Sequence, residues 1–150
     1  MPLALIDPRI RDLSVKFHAE RDSCLLLGYR RLEDLVRGRT GLDEHGAKLF
    51  SQAFVGPNAL LVWKGLDQSE RNGRGGLFTS SFIAYRNPRA HLEPNDDHRT
   101  ALAEFLLLNH LFRLEAEALE PLEAQRQVAD ELKDENEIRA LVKGLGAIDY

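Results

Sequence analysis

The sequence predicts an all-α fold of about five helices, and two observations support this prediction. Apolar residues recur at spacings of three and four along most of the 150 residues, the pattern of one buried helix face. Helix-starting and helix-breaking residues separate these stretches, as in Asp7-Pro8 and in Gly38 to Gly41. The run Leu60-Leu61-Val62-Trp63 is too short for a helix, so we expect a small extended or strand insertion around residues 60–64.

The first half of the chain predicts three helices. Asp7-Pro8 is an N-cap followed by proline at the first helical position, which opens a helix to about Phe17. The second helix is expected over residues 22–37 and the third over residues 43–54. Leu25, Tyr29, Leu32, Leu35 and Val36 form the inner stripe of the second helix.

The second half predicts a loop and three further helical stretches. Residues 67–76 are polar and rich in glycine and arginine, so we expect a mobile flap that brings Arg71 and Arg74 toward phosphates. The next helix begins at Gly76, and Pro88 should disrupt it and push Asn87 out of the helical region. A long apolar helix capped by Asp96 or Asp97 ends near residue 119, and a charged helix over residues 125–142 follows. We therefore divide the chain into a helical domain, 1–120, and a charged helical tail, 121–150.

Composition limits the classes of protein that need be considered. Apolar residues make up 43% and charged residues 29% of the chain, an ordinary balance for a globular protein. No run approaches the roughly 20 apolar residues of a membrane span, so we expect a cytoplasmic protein without membrane contact. Cys24 is the single cysteine, which excludes an intramolecular disulfide framework and a Cys-rich zinc site. We expect no metal and no cofactor.

Charge is distributed unevenly along the chain. The net charge of −4 and the pI near 5.7 do not indicate a nucleic-acid-binding protein. Residues 1–99 nevertheless carry 15 Lys and Arg against 13 Asp and Glu, whereas residues 100–150 carry 5 against 11. A polyanion should therefore meet the first part of the chain, and the arginines that we expect to contact RNA there are Arg30, Arg71, Arg74 and Arg89.

One string, Arg86-Asn87-Pro88-Arg89-Ala90-His91, stands out as a candidate site. Arginine followed by histidine after four to six residues is a weak signal, because it also occurs at Arg11 with His18 and at Arg39 with His45. The fuller Arg-Asn-Pro-x-Ala-His string, behind an apolar helix, is far more specific.

That string resembles the Ymh-type hypothetical proteins, a branch of the HEPN (higher eukaryotes and prokaryotes nucleotide-binding) superfamily. The strings Ile-Asp-Pro-Arg-Ile at residues 6–10 and Leu-Glu-Asp-Leu-Val-Arg at residues 32–37, followed by Thr40-Gly41-Leu42, extend the resemblance over roughly residues 6–118. The resemblance implies a HEPN-like up-and-down helical bundle, usually dimeric, that cleaves RNA without a metal. It implies that Arg86 and His91 are catalytic, with Asn87 as their polar neighbour. It also implies a role in prokaryotic anti-phage defence or as a toxin, with an antitoxin or sensor protein as a partner.

The chemistry of these residue types fits a metal-independent endoribonuclease. RNA supplies its own nucleophile, the 2′-hydroxyl, so the protein must only transfer protons and stabilise charge. Histidine exchanges a proton near neutral pH, and arginine offers a fork of donors to phosphate oxygens; the expected product is a 2′,3′-cyclic phosphate. The reaction needs both a proton acceptor and a proton donor, and the string supplies one histidine per chain. A homodimer with a composite active site would supply two.

A non-catalytic HEPN-like module for dimerisation or for binding a protein or nucleotide partner is the alternative. In that case Arg86 would cap helix carbonyls, His91 would bond to the backbone and the acidic tail would dock a partner. Among the remaining residues, we expect Glu33 to form a solvated pair with Arg37, although Arg30 or Glu33 has a supporting role if the second helix borders the site. We expect His45 to be a surface residue, His110 a core or interface histidine and Cys24 a buried small hydrophobe.

Overall fold

The computed structural model describes residues 3–91 and 97–145, with side chains over residues 3–89 and 97–143. Two short 3₁₀ turns, Leu3–Leu5 and Pro8–Ile10, precede the first α-helix. The elements that follow are α1 (Arg11–Lys16), α2 (Arg21–Thr40), α3 (Gly46–Phe54), α4 (Gln68–Ser81), a π-helical turn (Phe82–Arg86), α5 (Asn87–His91), α6 (His98–Glu117) and α7 (Pro121–Leu145). The all-α prediction is confirmed.

The core lies between α2, α3, α4 and α6 and is largely aromatic. Phe50 packs against Phe82 with ring centroids 4.3 Å apart, and Phe54 packs against Phe78 at 4.4 Å. Four of the five residues predicted for the inner stripe of α2 are fully buried or nearly so, and Leu35 packs against the same core at its edge. Large rings in offset contact stabilise a core beyond the area they bury, and this core fixes α2 and α4 beside each other.

The loop predicted over residues 67–76 is wrong, because α4 begins at Gln68. Asp67 accepts a hydrogen bond from the backbone N–H of Glu70, and the Glu70 carboxylate accepts one from the N–H of Asp67, both at 2.9 Å. This capping box satisfies the first free donors of the helix. Gly75 lets α4 approach α3 closely, since a Cβ there would lie 2.8 Å from the carbonyl oxygen of Phe54. Arg71 and Arg74 are therefore on a packed helix and not on a flap.

In place of the extended or strand insertion predicted at residues 60–64, the described residues show one isolated bridge and no strand. Val62 and Leu119 exchange two backbone hydrogen bonds of 2.8 Å. The indole N–H of Trp63 donates to the carbonyl of Leu114, also at 2.8 Å. These bonds attach residues 60–64 to the end of α6, so the buried apolar residues of this segment are part of the core.

The first turns of α7 pack on this segment, and farther along the helix Glu131 forms an exposed ion pair with Lys64. Ala124 is buried against Ala59 and Val62, whereas every residue from 129 to 143 is exposed. The helix begins at Pro121, four residues earlier than predicted, since proline suits the first helical position. Residues 146–150 of the predicted tail lie outside the described part. None of the described helices combines the length and the apolar content that a membrane crossing requires.

Candidate functional site

The Arg-Asn-Pro segment continues the helix through a π turn. The backbone N–H of Asn87 donates to the carbonyl of Phe82, five residues earlier, and Asn87 keeps helical angles of φ −65° and ψ −48°. The prediction that Pro88 pushes Asn87 out of the helical region is therefore wrong. In an α-helix a proline ring clashes with the carbonyl four residues before it. The wider π turn relieves this clash because it shifts the hydrogen bonding by one residue.

Arg86 lies at the end of the π turn, beside a buried carboxylate. Its Nη2 atom is 3.7 Å from Oε2 of Glu33, and its side chain is 32% exposed against 5% for Glu33. The other oxygen of Glu33 accepts a hydrogen bond of 2.6 Å from the backbone N–H of Gly46, the first residue of α3. One carboxylate of α2 thus joins the candidate phosphate-binding arginine to the start of α3.

The pair predicted between Glu33 and Arg37 does not form. Arg37 contacts the exposed carboxylate of Asp34 at 3.1 Å and the Nδ1 atom of His45 at 3.0 Å. His45 is the exposed N-cap residue of α3. Glu33 is turned inward from Arg37 because the amide of Gly46 and the guanidinium of Arg86 both lie on that side.

Arg89 has the opposite environment to Arg86. Its Nε atom donates to both carboxylate oxygens of Glu104 at 3.1 Å, one Nη atom donates to Glu104 at 2.5 Å, and the other donates to Asp22. The guanidinium is buried and turned inward. Burial, and then the nearby charge of Glu104, raise the pKa of the Tyr29 hydroxyl well above its ordinary value of 10.0. The RNA contact predicted for Arg89 would require this buried network to open.

The other arginines predicted to bind RNA are separated from Arg86. Arg71 and Arg74 lie near the start of α4, some 15 and 12 residues before Arg86, which corresponds to about 20 Å along a helix axis. Arg74 lies over the ring of Trp63, and Arg71 lines a cleft of about 320 Å³ between α4 and α7. Arg30 is exposed on α2, one turn before Glu33. The structure brings Arg30 to the same helix face as Glu33 and leaves Arg71 and Arg74 elsewhere.

The remaining candidates divide as follows. Asn87 is half-buried beside Arg86, and the side chain of His91 lies outside the described part of the structure. Cys24 is buried as predicted, and burial raises the pKa of its thiol. His110 was predicted to be a core or interface histidine; it is exposed on α6, which excludes the core and leaves the interface position a prediction. Among the described residues, no three His, Cys, Asp or Glu side chains are grouped so that they could hold a metal ion.

A third buried carboxylate, after Glu33 and Glu104, explains the string at residues 6–10. Glu115 is almost fully buried and receives Arg9 at 2.5 Å and Arg39 at 2.8 Å. Arg9 is also held by Asp7, whose backbone N–H donates to the side chain of Asn109 at 2.8 Å. Sequence reasoning missed this cluster because its members are up to 108 residues apart and no local pattern relates them. Its role is to tie the N-terminal segment and the end of α2 to α6.

The described residues thus form an all-α protein. At the π turn and in the short helix after it, Arg86 is partly exposed and Arg89 is buried. Residues 18–114 match the family described as a protein of unknown function, Hypoth_ymh. The chain belongs to this family, which confirms the resemblance to Ymh-type proteins, and the string at residues 6–10 precedes the matched span. No curated protein and no solved structure matches the chain.

Proposed function

We propose that this protein is a metal-independent endoribonuclease of the HEPN type, in which Arg86 binds the scissile phosphate and His91 transfers a proton. The reaction itself is taken from the resemblance of the Arg-Asn-Pro-x-Ala-His string. The observation that supports it best is the position of Arg86, a partly exposed guanidinium oriented by the buried carboxylate of Glu33.

The environment of Arg86 suits an arginine that binds an external anion. Its 3.7 Å contact with Glu33 is longer than a hydrogen bond, so the attraction orients the side chain without occupying its donors at close range. A phosphate that entered from solvent would find a fork of N–H groups, which match two of its oxygens. Arg86 and Asn87 are adjacent in one helical segment, and both side chains are partly exposed.

The proposed reaction needs no group beyond the chain and the RNA. The 2′-oxygen attacks the adjacent phosphorus as its proton leaves, the bond to the 5′-oxygen breaks, and that oxygen takes up a proton. The products are a 2′,3′-cyclic phosphate and a 5′-hydroxyl. Arg86 stabilises the negative charge that grows on the phosphorus oxygens, a contribution of about 10²- to 10³-fold for one well-placed donor. His91 serves as the base or the acid.

We propose that two copies combine to form the site. Three large apolar side chains near Arg86 and Glu33 are at least 39% exposed: Leu27 on α2, and Ile83 and Tyr85 in the π turn. Apolar side chains exposed beside a polar cluster are typical of a protein interface. A two-fold dimer across this surface would bring two copies of Arg86 and His91 into one cleft.

A non-catalytic binding or dimerisation module is the second candidate, and α7 favours it. Beyond residue 129 this helix is exposed on all sides and carries the unpartnered apolar residues Leu132, Ile138, Leu141 and Val142. An amphipathic helix of this kind can lie in the groove of a partner. An antitoxin or a sensor protein would be the partner implied by the resemblance.

Cleavage of RNA by the purified protein in the presence of EDTA distinguishes the two candidates. Wild type should cleave single-stranded RNA and leave cyclic phosphate ends, and Arg86→Ala and His91→Ala should each reduce the rate by at least about 100-fold. Arg113→Ala is a matched control, because Arg113 is an exposed arginine on α6. Absence of cleavage by folded wild type, or equal loss in the Arg113 control, would exclude the ribonuclease proposal and favour the binding module.

A further inference from the structure

We infer that His45 is a further RNA-binding residue of this site, which donates a hydrogen bond from Nε2–H to a backbone phosphate beside Arg86. This inference rests on the proposed function and extends it to a residue outside the Arg-x(4)-His string. Three observations carry it: the path of contacts from His45 to Arg86, the tautomer that Arg37 imposes on the ring, and the exposure of the ring.

The start of α3 and Arg86 share one carboxylate. Glu33 accepts the backbone N–H of Gly46 with one oxygen at 2.6 Å and faces Nη2 of Arg86 with the other at 3.7 Å. Gly46 directly follows His45, and the two oxygens of a carboxylate are about 2 Å apart. His45 therefore belongs to the same surface cluster as Arg86, although 41 residues separate them in sequence.

Arg37 determines which nitrogen of the neutral His45 ring carries the proton. Nη2 of Arg37 lies 3.0 Å from Nδ1 of His45. A guanidinium group can only donate hydrogen bonds, so Nδ1 must accept, and the proton of the neutral ring is on Nε2. A neutral histidine held in this way presents its N–H donor at Nε2.

The surroundings of His45 make that donor useful to an anion. Arg37 contacts the ring directly, and Arg86 lies on the other side of the Glu33 carboxylate that accepts the N–H of the neighbouring Gly46. The carboxylate of Glu44 is engaged by Lys48 at 2.7 Å, and the carboxylate of Glu33 is buried. Asp34 pairs with Arg37 at 3.1 Å and Asp43 is exposed two residues before His45, so a phosphate here would be held by the ring N–H together with the Arg37 guanidinium and not by an excess of cations. Arg37 acts as a positioning residue, which holds the ring through Nδ1.

Two substitutions of His45 separate a donor role from a structural one. A glutamine amide N–H can replace Nε2–H, whereas alanine removes the donor. Binding of an RNA oligomer that carries 2′-O-methyl groups throughout, and so cannot be cleaved, should weaken about 10-fold in His45→Ala. It should stay within about 3-fold of wild type in His45→Gln. His110→Ala is the matched control, since His110 is an exposed histidine on α6.

Nitrogen-15 NMR of the His45 ring tests the tautomer without any ribonuclease activity. Wild type should show a neutral ring protonated at Nε2, and Arg37→Gln should lose this fixed tautomer. A ring protonated at Nδ1 would overturn the inference, and so would wild-type RNA binding in His45→Ala. Recovery of His45→Ala activity on an RNA analogue with a nitrophenolate leaving group would assign His45 as a general acid, which also contradicts the donor role.

Failure of this inference differs from failure of the proposed function. If wild type cleaves RNA and His45→Ala binds and cleaves equally well, only the role of His45 is wrong. If binding of the modified RNA depends on His45 but unmodified RNA is not cleaved, only the ribonuclease activity is wrong. If wild type neither binds the modified RNA nor cleaves unmodified RNA, both are wrong.

Discussion

Arg86 and Arg89 lie three residues apart and illustrate two uses of the same side chain. Arg89 is 5% exposed and is bound by Glu104 and Asp22 at hydrogen-bond distance. Arg86 is 32% exposed and has a longer contact with a single buried carboxylate, Glu33. Among the described residues, Arg89 joins α5 to α2 and α6, whereas Arg86 is placed at the surface.

The comparison shows that the number and distance of carboxylates decide what an arginine can do. A guanidinium whose donors are filled by buried carboxylates is part of the structure, and removing it leaves uncompensated buried charge. A guanidinium oriented by one carboxylate at longer range keeps donors for a ligand. Three predictions test this difference, beginning with the largest expected effect.

Replacing Arg89 by alanine should destabilise the protein strongly. The carboxylate of Glu104 would stay buried without its partner, and breaking a buried pair in this way costs about 3–5 kcal/mol. Urea denaturation measures the change in the free energy of unfolding. Arg86→Ala is the internal comparison and should cost less, because its contact with Glu33 is longer and the Glu33 carboxylate keeps the N–H of Gly46. Similar losses in both variants would show that the two arginines are not functionally distinct.

Replacing Glu33 by glutamine should have a smaller effect on stability and a clear effect on Arg86. The amide oxygen can still accept the N–H of Gly46, so we expect a loss of about 1–2 kcal/mol from the weaker hydrogen bond. Arg86 loses the charge that orients it, and RNA cleavage should fall about 10-fold. Glu137→Gln is the matched control, because Glu137 is an exposed carboxylate on α7 and lies outside the proposed site. If Glu137→Gln reduced cleavage equally, general charge and not orientation would explain the result.

The Asp7–Arg9 pair is intermediate, with a buried carboxylate and an arginine that is 31% exposed. The side-chain hydrogen bond from Arg9 lowers the pKa of Asp7 below its ordinary value of 3.8, against the opposing effect of burial. A carboxyl group with a lowered pKa in the folded state stabilises the protein above its unfolded-state pKa. That stabilisation should be lost as the pH falls below about 4.

Urea denaturation of wild type and Asp7→Asn from pH 2.5 to 6 measures this effect. Asparagine can still cap the Pro8–Ile10 turn. The main difference in the variant should therefore be that residue 7 no longer carries a titratable carboxyl group. The stability difference between the two proteins should shrink as the pH falls through 4. A difference that is constant over this range would show that the charge of Asp7 contributes nothing.

Local patterns allowed much of the fold to be predicted. The apolar spacing on α2 identified its buried face, and Asp97 does cap α6 by accepting the N–H of Thr100. Asp67-x-x-Glu70 is a sequence signature of the capping box that begins α4. The glycines and arginines that follow it are typical of a loop, and they led to the wrong prediction. Gly75 is in the helix because it packs against α3, which no local pattern reveals.

The candidate site was only partly predictable, because its electrostatics depend on distant residues. The string Arg-Asn-Pro-Arg does not show which arginine is buried. That difference comes from Glu104 and Asp22 for Arg89 and from Glu33 for Arg86, which are 15, 67 and 53 residues away. The contact between Arg37 and His45 depends on the turn between α2 and α3, so His45 was expected to be an ordinary surface residue.

The π turn at Phe82–Arg86 also makes the length of this segment matter. A π turn contains one residue more than the α-helical turn it replaces, and each residue of an α-helix advances about 100° around the axis. Deletion of a single residue between Phe82 and Arg86 should therefore leave an α-helical turn that keeps the direction of Arg89, but it would bring the ring of Pro88 against the carbonyl four residues before it. The segment should tolerate exchange of the side chain at an exposed position outside the proposed interface, such as Ala84, yet be intolerant of insertions and deletions.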